Sequence, residues 1–274
     1  MDLKDGVKTA ENKVSNEARR LSGIVKDTSK SIVDRLECFE DIISLEIGDT
    51  GLSRAKTLER EFDLRQLYIK YEGDNPTGTQ KDRIAFAQSY DALRREFKVV
   101  SLATCGNYGV SMALASDLAG IACKIYIPET YHTDRIVEME TLNAEIIRIP
   151  GSYEDVVTES SKLAAEYGWY DANPGGANTP LQISAYAQIA QEIFEDLGDA
   201  PKYCAVPVSN GTLFAGIYRG FVNLYKRGKT SRIPKMIAAS SSHKNPIVES
   251  FLLGLDHCKD LNPKAIKETK YNEP

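Results

Sequence analysis

Lys81 ends the run Glu72-Gly73-Asp74-Asn75-Pro76-Thr77-Gly78-Thr79-Gln80-Lys81 and is followed by Asp82-Arg83. A lysine in that setting can do covalent chemistry. Asn75, Pro76 and Gly78 mark a turn, and the pattern after it predicts a helix over Asp82–Phe97 with Lys81 at its start. The positive end of the helix dipole lowers the pKa of such a lysine, and partial burial acts in the same direction. An amine that is neutral near pH 7 can form a Schiff base with an aldehyde. For a lysine taken alone a solvated surface position is much the commoner reading, and the turn shifts that only modestly.

Two further segments could bind small polar or anionic groups. Thr104-Cys105-Gly106-Asn107-Tyr108-Gly109 leads into a run of small residues from Val110 to Ala119. Unpaired N–H groups at such a helix start bind carboxylates or phosphates, and Asn107 can donate an amide hydrogen to a ring oxygen. An ordinary helix cap by Thr104 or Asn107 would leave the same pattern. Pro207-Val208-Ser209-Asn210-Gly211-Thr212-Leu213 precedes a helix expected from about Phe214. Its small residues let the backbone wrap a phosphate, but it has neither a Walker lysine nor G-x-G-x-x-G. A plain strand-to-helix turn would look alike.

These segments need elements to position them. Short β-rich runs are expected at Leu67–Tyr71, Val99–Ala103, Cys123–Ile127, Glu145–Ile149, Trp169–Ala172, Tyr203–Val208 and Lys235–Ala239. Helical spacing fills Asn107–Ala119, Tyr131–Leu142, Tyr153–Tyr167, Leu181–Leu197 and Thr212–Lys226, and one or two helices are expected over 15–45. Gly120, Gly168, Gly198 and Gly228 read as helix stops. Strands alternating with helices imply a parallel sheet flanked by helices, an α/β fold. Ligands of such sheets bind beyond the carboxyl ends of the strands, where all three segments fall.

Taken together, the segments resemble one family. Asn75-Pro76-Thr77-Gly78-Thr79-Gln80-Lys81-Asp82-Arg83 is similar to the lysine motif N-P-T-G-S-F-K-D-R of threonine synthases. Thr104-Cys105-Gly106-Asn107 resembles their S-S-G-N loop, Pro207–Thr212 their phosphate loop, and Gly48-Asp49-Thr50-Gly51-Leu52 their upstream G-x-T-P-L. The resemblance runs from about residue 45 to the end. It implies the two-domain fold of the tryptophan synthase β type, with pyridoxal 5'-phosphate as cofactor. Lys81 would hold the cofactor and shuttle protons at the substrate α-carbon. Asn107 would bond its ring hydroxyl, and Ser209, Asn210, Gly211 and Thr212 its phosphate. Thr104, Cys105 and Gly106 would bind the substrate carboxylate. The activity implied is that of a pyridoxal-phosphate-dependent lyase of amino-acid biosynthesis, performing elimination or replacement on an amino acid. Conversion of O-phosphohomoserine to threonine is the named case. Cysteate synthase-like β-replacement and a hydroxy-amino-acid ammonia-lyase are the enzyme alternatives, and a non-catalytic cofactor-binding relative is another.

The sequence departs from the family in three places. Gly176, in Asp171-Ala172-Asn173-Pro174-Gly175-Gly176, stands where threonine synthases have an arginine that helps hold the substrate phosphate. Gln80 replaces a phenylalanine and Cys105 a serine, which suggests an altered substrate pocket. The chain stops at Tyr271-Asn272-Glu273-Pro274, before the residue expected to face the pyridine nitrogen, so it is expected to be incomplete at its C-terminus.

Composition narrows the remaining classes. The 274 residues are 42% hydrophobic with a net charge of −5, so no basic face is expected for nucleic acid. No apolar run approaches a membrane span. The five cysteines are widely spaced, which argues against a zinc site or disulfide framework and for a reducing, cytoplasmic setting. His132, His243 and His257 share no metal spacing. Ser240-Ser241-Ser242, after a strand, could contact a ligand. The expected domains are 1–83 plus 174–274, a large cofactor domain, and 84–173, a small mobile one. A homodimer is the expected assembly, with a small amino acid as substrate.

Overall fold

The computed structural model describes residues 14–104, 106–131, 134–240 and 245–259. The chain divides into two compact units, Met1–Leu181 and Gln182–Pro274.

The first unit opens with two capped helices. In α1 (Asn16–Lys26) the Ser15 hydroxyl accepts from the Ala18 N–H, and Ala18, Leu21, Ser22 and Val25 form one buried stripe. That spacing places them on a single helix face. Ser22 then donates to the Leu118 carbonyl at 3.0 Å, tying α1 to the rest of the unit. In α2 (Ile32–Glu46), capped by Ser31, Phe39 is buried and stacks on Phe86 with ring centroids 6.0 Å apart.

Next comes a small antiparallel ribbon of β1 (Leu52–Arg54) and β2 (Tyr68–Lys70), enclosing the short helix α3 (Lys56–Glu61). The run Leu67–Tyr71 therefore pairs with β1 and does not join the parallel sheet. The main sheet has four parallel strands in the order β5-β4-β3-β6: β3 (Val99–Ala103), β4 (Ala122–Pro128), β5 (Glu145–Ile149) and β6 (Tyr170–Asp171). The helices between them are α4 (Lys81–Arg94) before β3, then α5 (Asn107–Ala119), α6 (Arg135–Thr141) and α7 (Tyr153–Tyr167). Parallel neighbours require such crossovers.

Helix α5 is buried almost all round, with Val110, Met112, Ala113, Leu114 and Ala115 at most 1% exposed. A helix apolar on every side belongs in a core. It ends at Gly120, whose φ of 68° is the left-handed conformation that stops a helix. Helix α7 starts from a complete capping box, Ser152 with Asp155. Its Val156 packs with Ala103 and Tyr126. Helix α6 is shorter than the sequence suggests, Arg135–Thr141 against Tyr131–Leu142, and His132 and Thr133 lie outside the described residues.

The second unit holds most of α8 (Thr179–Leu197), then β7 (Tyr203–Pro207), α9 (Thr212–Lys226), β8 (Lys235–Ala239) and α10 (Pro246–Leu252). Strands β7 and β8 pair in parallel. Helices α8 and α9 meet through small residues: a methyl added at Gly220 would lie 2.5 Å from the Ala187 carbonyl oxygen. Among the described residues no helix is long and apolar enough to cross a membrane.

Candidate active site

Lys81 is the first residue of α4 and half-buried. The turn before it is held from within. The Gly78 N–H donates to the Asn75 carbonyl at 2.8 Å, with Gly78 at φ 82°. Buried Asn75 accepts from the Gly48 N–H at 3.1 Å and donates to the Glu72 carbonyl at 2.9 Å. The Lys81 N–H itself donates to the Thr79 hydroxyl at 2.9 Å.

The two residues after Lys81 anchor it from the other side. The Asp82 carboxylate, fully buried, accepts from the Thr77 N–H at 2.8 Å and from the Thr77 hydroxyl at 2.5 Å. Burial pushes its pKa up, and the Ser111 and Thr77 hydrogen bonds oppose that only in part. The Arg83 guanidinium, with no exposed side-chain surface, makes a paired contact to Glu72 at 2.6 and 2.8 Å. Glu72 also accepts from the Thr50 hydroxyl at 2.8 Å. A buried arginine needs such a partner, and this one ties the first turn of α4 to residue 50.

The Lys81 ammonium is treated differently. Among the described residues its Nζ has no carboxylate and no hydrogen-bond partner. It lies 5.6 Å from the centre of the Tyr108 ring. Burial holds its pKa below the ordinary lysine value. A desolvated amine without a counter-ion keeps more of its neutral, nucleophilic form.

Tyr108 belongs to the second segment. It is buried, and its hydroxyl bonds Gln88 and the Ala172 carbonyl, the latter at 2.8 Å. The cap of α5 is Gly106, with no side-chain hydrogen bond to the helix, so neither Thr104 nor Asn107 caps it. Thr104 is buried, with its N–H on the Tyr126 carbonyl at 3.1 Å, while Asn107 is exposed. Cys105 lies outside the described residues. Gly109 lets α6 approach: a methyl there would meet Met139 at 2.7 Å.

Arg135, in the first turn of α6, reaches both segments. Its Nη2 donates to Asn107 Oδ1 at 3.0 Å and to the Thr77 carbonyl at 3.3 Å. Its Nη1 bonds Glu138 at 2.9 and 3.0 Å. Lys81, Thr77, Asn107, Tyr108 and Arg135 thus form one connected cluster at the starts of three helices of the first unit. Sequence reasoning passed over Arg135. The available signal was a basic residue at a helix start just after a strand, on the same edge of the sheet.

In the second unit, Ser209 to Thr212 join β7 to α9. Gly211 caps α9 at φ 82° without a side-chain hydrogen bond, and the Thr212 N–H turns back to Asn210 Oδ1 at 3.2 Å. The loop is braced by Asn245, whose amide donates to the Val208 and Ser209 carbonyls at 3.0 and 2.8 Å. Its Oδ1 meanwhile caps α10. Asn245 had no signal before the structure. Ser209 and Asn210 are exposed and Thr212 buried. Ser240 is exposed, and Ser241, Ser242 and His243 lie outside the described residues. His257 is exposed and contacts Asp256.

Gly176 is exposed, and a methyl there would find only the Asn173 carbonyl oxygen, at 3.8 Å. Packing does not demand glycine at this position. An open groove of about 630 Å³ lies between β4, β5 and α7, lined by Tyr126, Ile147, Ile149 and Leu163 with Asp155 and Glu159; none of the candidate site residues line it.

The donor set of the lysine cluster fits an aldehyde-bearing aromatic cofactor: an uncompensated amine beside an aromatic ring and a nearby amide. The family model for the pyridoxal-phosphate dependent enzymes matches residues 43–271, and the chain belongs to that family. It is 31% identical over 247 residues to a threonine synthase of Methanocaldococcus jannaschii, covering 89% of this chain and 57% of that protein. To a threonine synthase of Mycobacterium leprae it is 29% identical over 218 residues, covering 78% of this chain and 60% of that one. The chain therefore spans somewhat over half the length of these relatives. Among solved structures, maize serine racemase superposes with a TM-score of 0.67 at 20% identity, over 83% of this chain and 68% of that one. Threonine deaminase isoform 2 from Solanum lycopersicum gives 0.66 at 22%, over 81% and 60%. These likenesses establish the fold, that of the tryptophan synthase β group, and pyridoxal 5'-phosphate is the cofactor of the family.

Proposed function

We propose that this chain binds pyridoxal 5'-phosphate through Lys81 and belongs to an enzyme that eliminates or replaces a group on an amino acid, in the manner of a threonine synthase. The observation that carries the proposal is the Lys81 amine, half-buried, lowered in pKa and without an acidic partner among the described residues, at the end of a turn fixed by Asn75, Thr77 and Asp82. When bound, the cofactor supplies an electron sink for negative charge at the substrate α-carbon. Lys81 holds the cofactor's aldehyde carbon and, once released, moves a proton at the α-carbon. Asn107 donates to the ring oxygen. Ser209, Asn210, Gly211 and Thr212 hold the phosphate with N–H groups of the first turn of α9, whose cap residue Gly211 makes no side-chain hydrogen bond. Thr104, Cys105 and Gly106 take the substrate carboxylate.

Gly176 favours a second reading of the substrate. A glycine offers no bidentate phosphate contact, and packing does not require it here. A hydroxy amino acid, or another substrate without phosphate, suits that position better than O-phosphohomoserine. We take 84–173, which holds the four-stranded sheet, as the smaller domain and 1–83 with 174–274 as the cofactor domain. A homodimer in the cytoplasm completes the proposal; the free thiols of Cys38, Cys123, Cys204 and Cys258 support the reducing compartment alone.

Absorbance spectra of the purified chain with pyridoxal phosphate, beside Lys81→Ala, test it. A yellow band in the parent that is absent from the variant is expected, and screening amino acids for spectral shifts then identifies the substrate. A folded parent without a band overturns the proposal.

A further inference from the structure

We propose that Arg135 is the positioning residue for Asn107, fixing the side-chain amide so that its N–H₂ group is the end presented to the cofactor ring. The proposal rests on the functional reading above. A guanidinium has donors only, and Arg135 Nη2 lies 3.0 Å from Asn107 Oδ1. The acceptor end of the amide is thereby taken, and the donor end is left for the ligand. Turning the amide over would set N–H₂ against the guanidinium, donor against donor.

Both partners are held by other contacts. Arg135 is braced on its own helix by Glu138 at 2.9 and 3.0 Å, with about a quarter of its side chain exposed (27%). The Asn107 carbonyl accepts from the Ser111 hydroxyl at 3.0 Å, so the residue's backbone does not depend on Arg135. The same Nη2 also donates to the Thr77 carbonyl at 3.3 Å, in the turn that leads to Lys81. One cation therefore bridges the turn that leads to Lys81 and the side chain that reads the ring oxygen. A positive charge behind the amide also polarises it. That makes the N–H₂ group a stronger donor and favours an ionised ring oxygen.

The test is a double-mutant cycle on the full chain, using Arg135→Gln, Asn107→Ala and the double variant, with Arg135→Lys as the conservative change. Two quantities are read for each: the dissociation constant of pyridoxal phosphate, and the pH at which the band of the bound cofactor changes. Arg135→Gln is expected to weaken binding about tenfold and to shift that pH. In the Asn107→Ala background the same change should alter binding by no more than about twofold, because the two residues act as one unit. Arg135→Lys, which keeps the charge, should restore part of the shift. Equal losses in both backgrounds would overturn the proposal, as would an unchanged spectrum and affinity in Arg135→Gln. A raised KM for the amino acid with unaltered cofactor parameters would make Arg135 a substrate ligand and overturn it too. A parent that binds no pyridoxal phosphate fails earlier and sinks the functional reading itself, whereas a parent that binds it beside an additive cycle sinks only the role given to Arg135.

Discussion

The hydroxyl oxygens of Thr77 and Ser111 lie 3.0 Å apart in the buried interior, joining the turn before Lys81 to the helix that begins at Asn107. The Thr77 proton is committed to Asp82 at 2.5 Å. Ser111 is therefore the donor, sharing its proton between Thr77 and the Asn107 carbonyl at 3.0 Å. A chain of contacts runs Asn107, Ser111, Thr77, Asp82, and Asp82 is the neighbour of Lys81. Shifting either helix start against the other would break buried hydrogen bonds, so the two candidate ligand-binding segments of the first unit move as one body.

Thr77→Val tests that link. Valine keeps the branched shape and the backbone N–H to Asp82 but removes the hydroxyl. Asp82 loses a charge-assisted bond and Ser111 an acceptor, both out of water. A loss of about 1–3 kcal/mol is expected, read as a lower urea midpoint with unchanged slope. Ser111→Ala should cost less in the Thr77→Val background than alone. A Thr77→Val variant as stable as the parent would mean the contact carries nothing.

What was legible in the sequence follows the reach of each interaction. Lys81 at a helix start was readable because the Asn75–Gly78 turn and the helix after it are local. The strands of the parallel sheet were readable because Val99–Ala103 and Glu145–Ile149 are short β-rich runs. Strand direction was not: Tyr68–Lys70 looks like any short strand until its partner Leu52–Arg54 is known, and three residues carry no period. Helix α10, seven residues beginning at Pro246, was too short to show helical spacing. Arg135 showed only as a basic residue at a helix start, and its role stayed hidden because its partners Asn107 and Thr77 lie 28 and 58 residues away. Asn245 reaches Val208 across 37 residues in the same fashion.

Gly176→Arg separates fold from substrate choice at the position where the threonine synthase resemblance implies an arginine. The glycine is exposed, and a Cβ added there would meet nothing closer than the Asn173 carbonyl oxygen, at 3.8 Å. Stability should stay within about 0.5 kcal/mol of the parent. If this loop does face the substrate, an arginine adds a bidentate site for phosphate. Binding of O-phosphohomoserine, followed by its spectral shift, should then tighten about tenfold, as expected for a hydrogen bond to a charged group. A variant with much reduced stability would show that the fold demands glycine. A stable variant with unchanged affinity would show that residue 176 does not read the substrate.

Asp82 gives the protein a pH dependence of unusual sign. Burial, the largest influence, raises its folded pKa above the ordinary aspartate value of 3.8, against the opposing pull of Ser111, Thr77 and Arg135. Between 3.8 and the raised value the folded chain keeps a proton that the unfolded chain has lost. Stability contributed by this group is thus complete below 3.8 and lost as the pH rises through the folded pKa. Asp91 and Glu59 act oppositely. Arg94, Tyr170 and Arg95 hydrogen bonds hold Asp91 below its usual pKa despite burial, and the Arg54 hydrogen bond, with the Leu67 N–H, does the same for Glu59. Their stabilisation is present at neutral pH and lost as the pH falls through their lowered values. The parent curve mixes both signs, and Asp82→Asn isolates one. Urea unfolding of parent and variant at steps from about pH 4 to pH 8 should show the parent's relative stability falling as the pH rises, by at most about 1.4 kcal/mol per unit. The fall should end once Asp82 is ionised in both states. A difference between the two proteins that stays constant across that range would mean the Asp82 carboxyl titrates normally, and that its hydrogen bonds to Thr77 fully offset its burial.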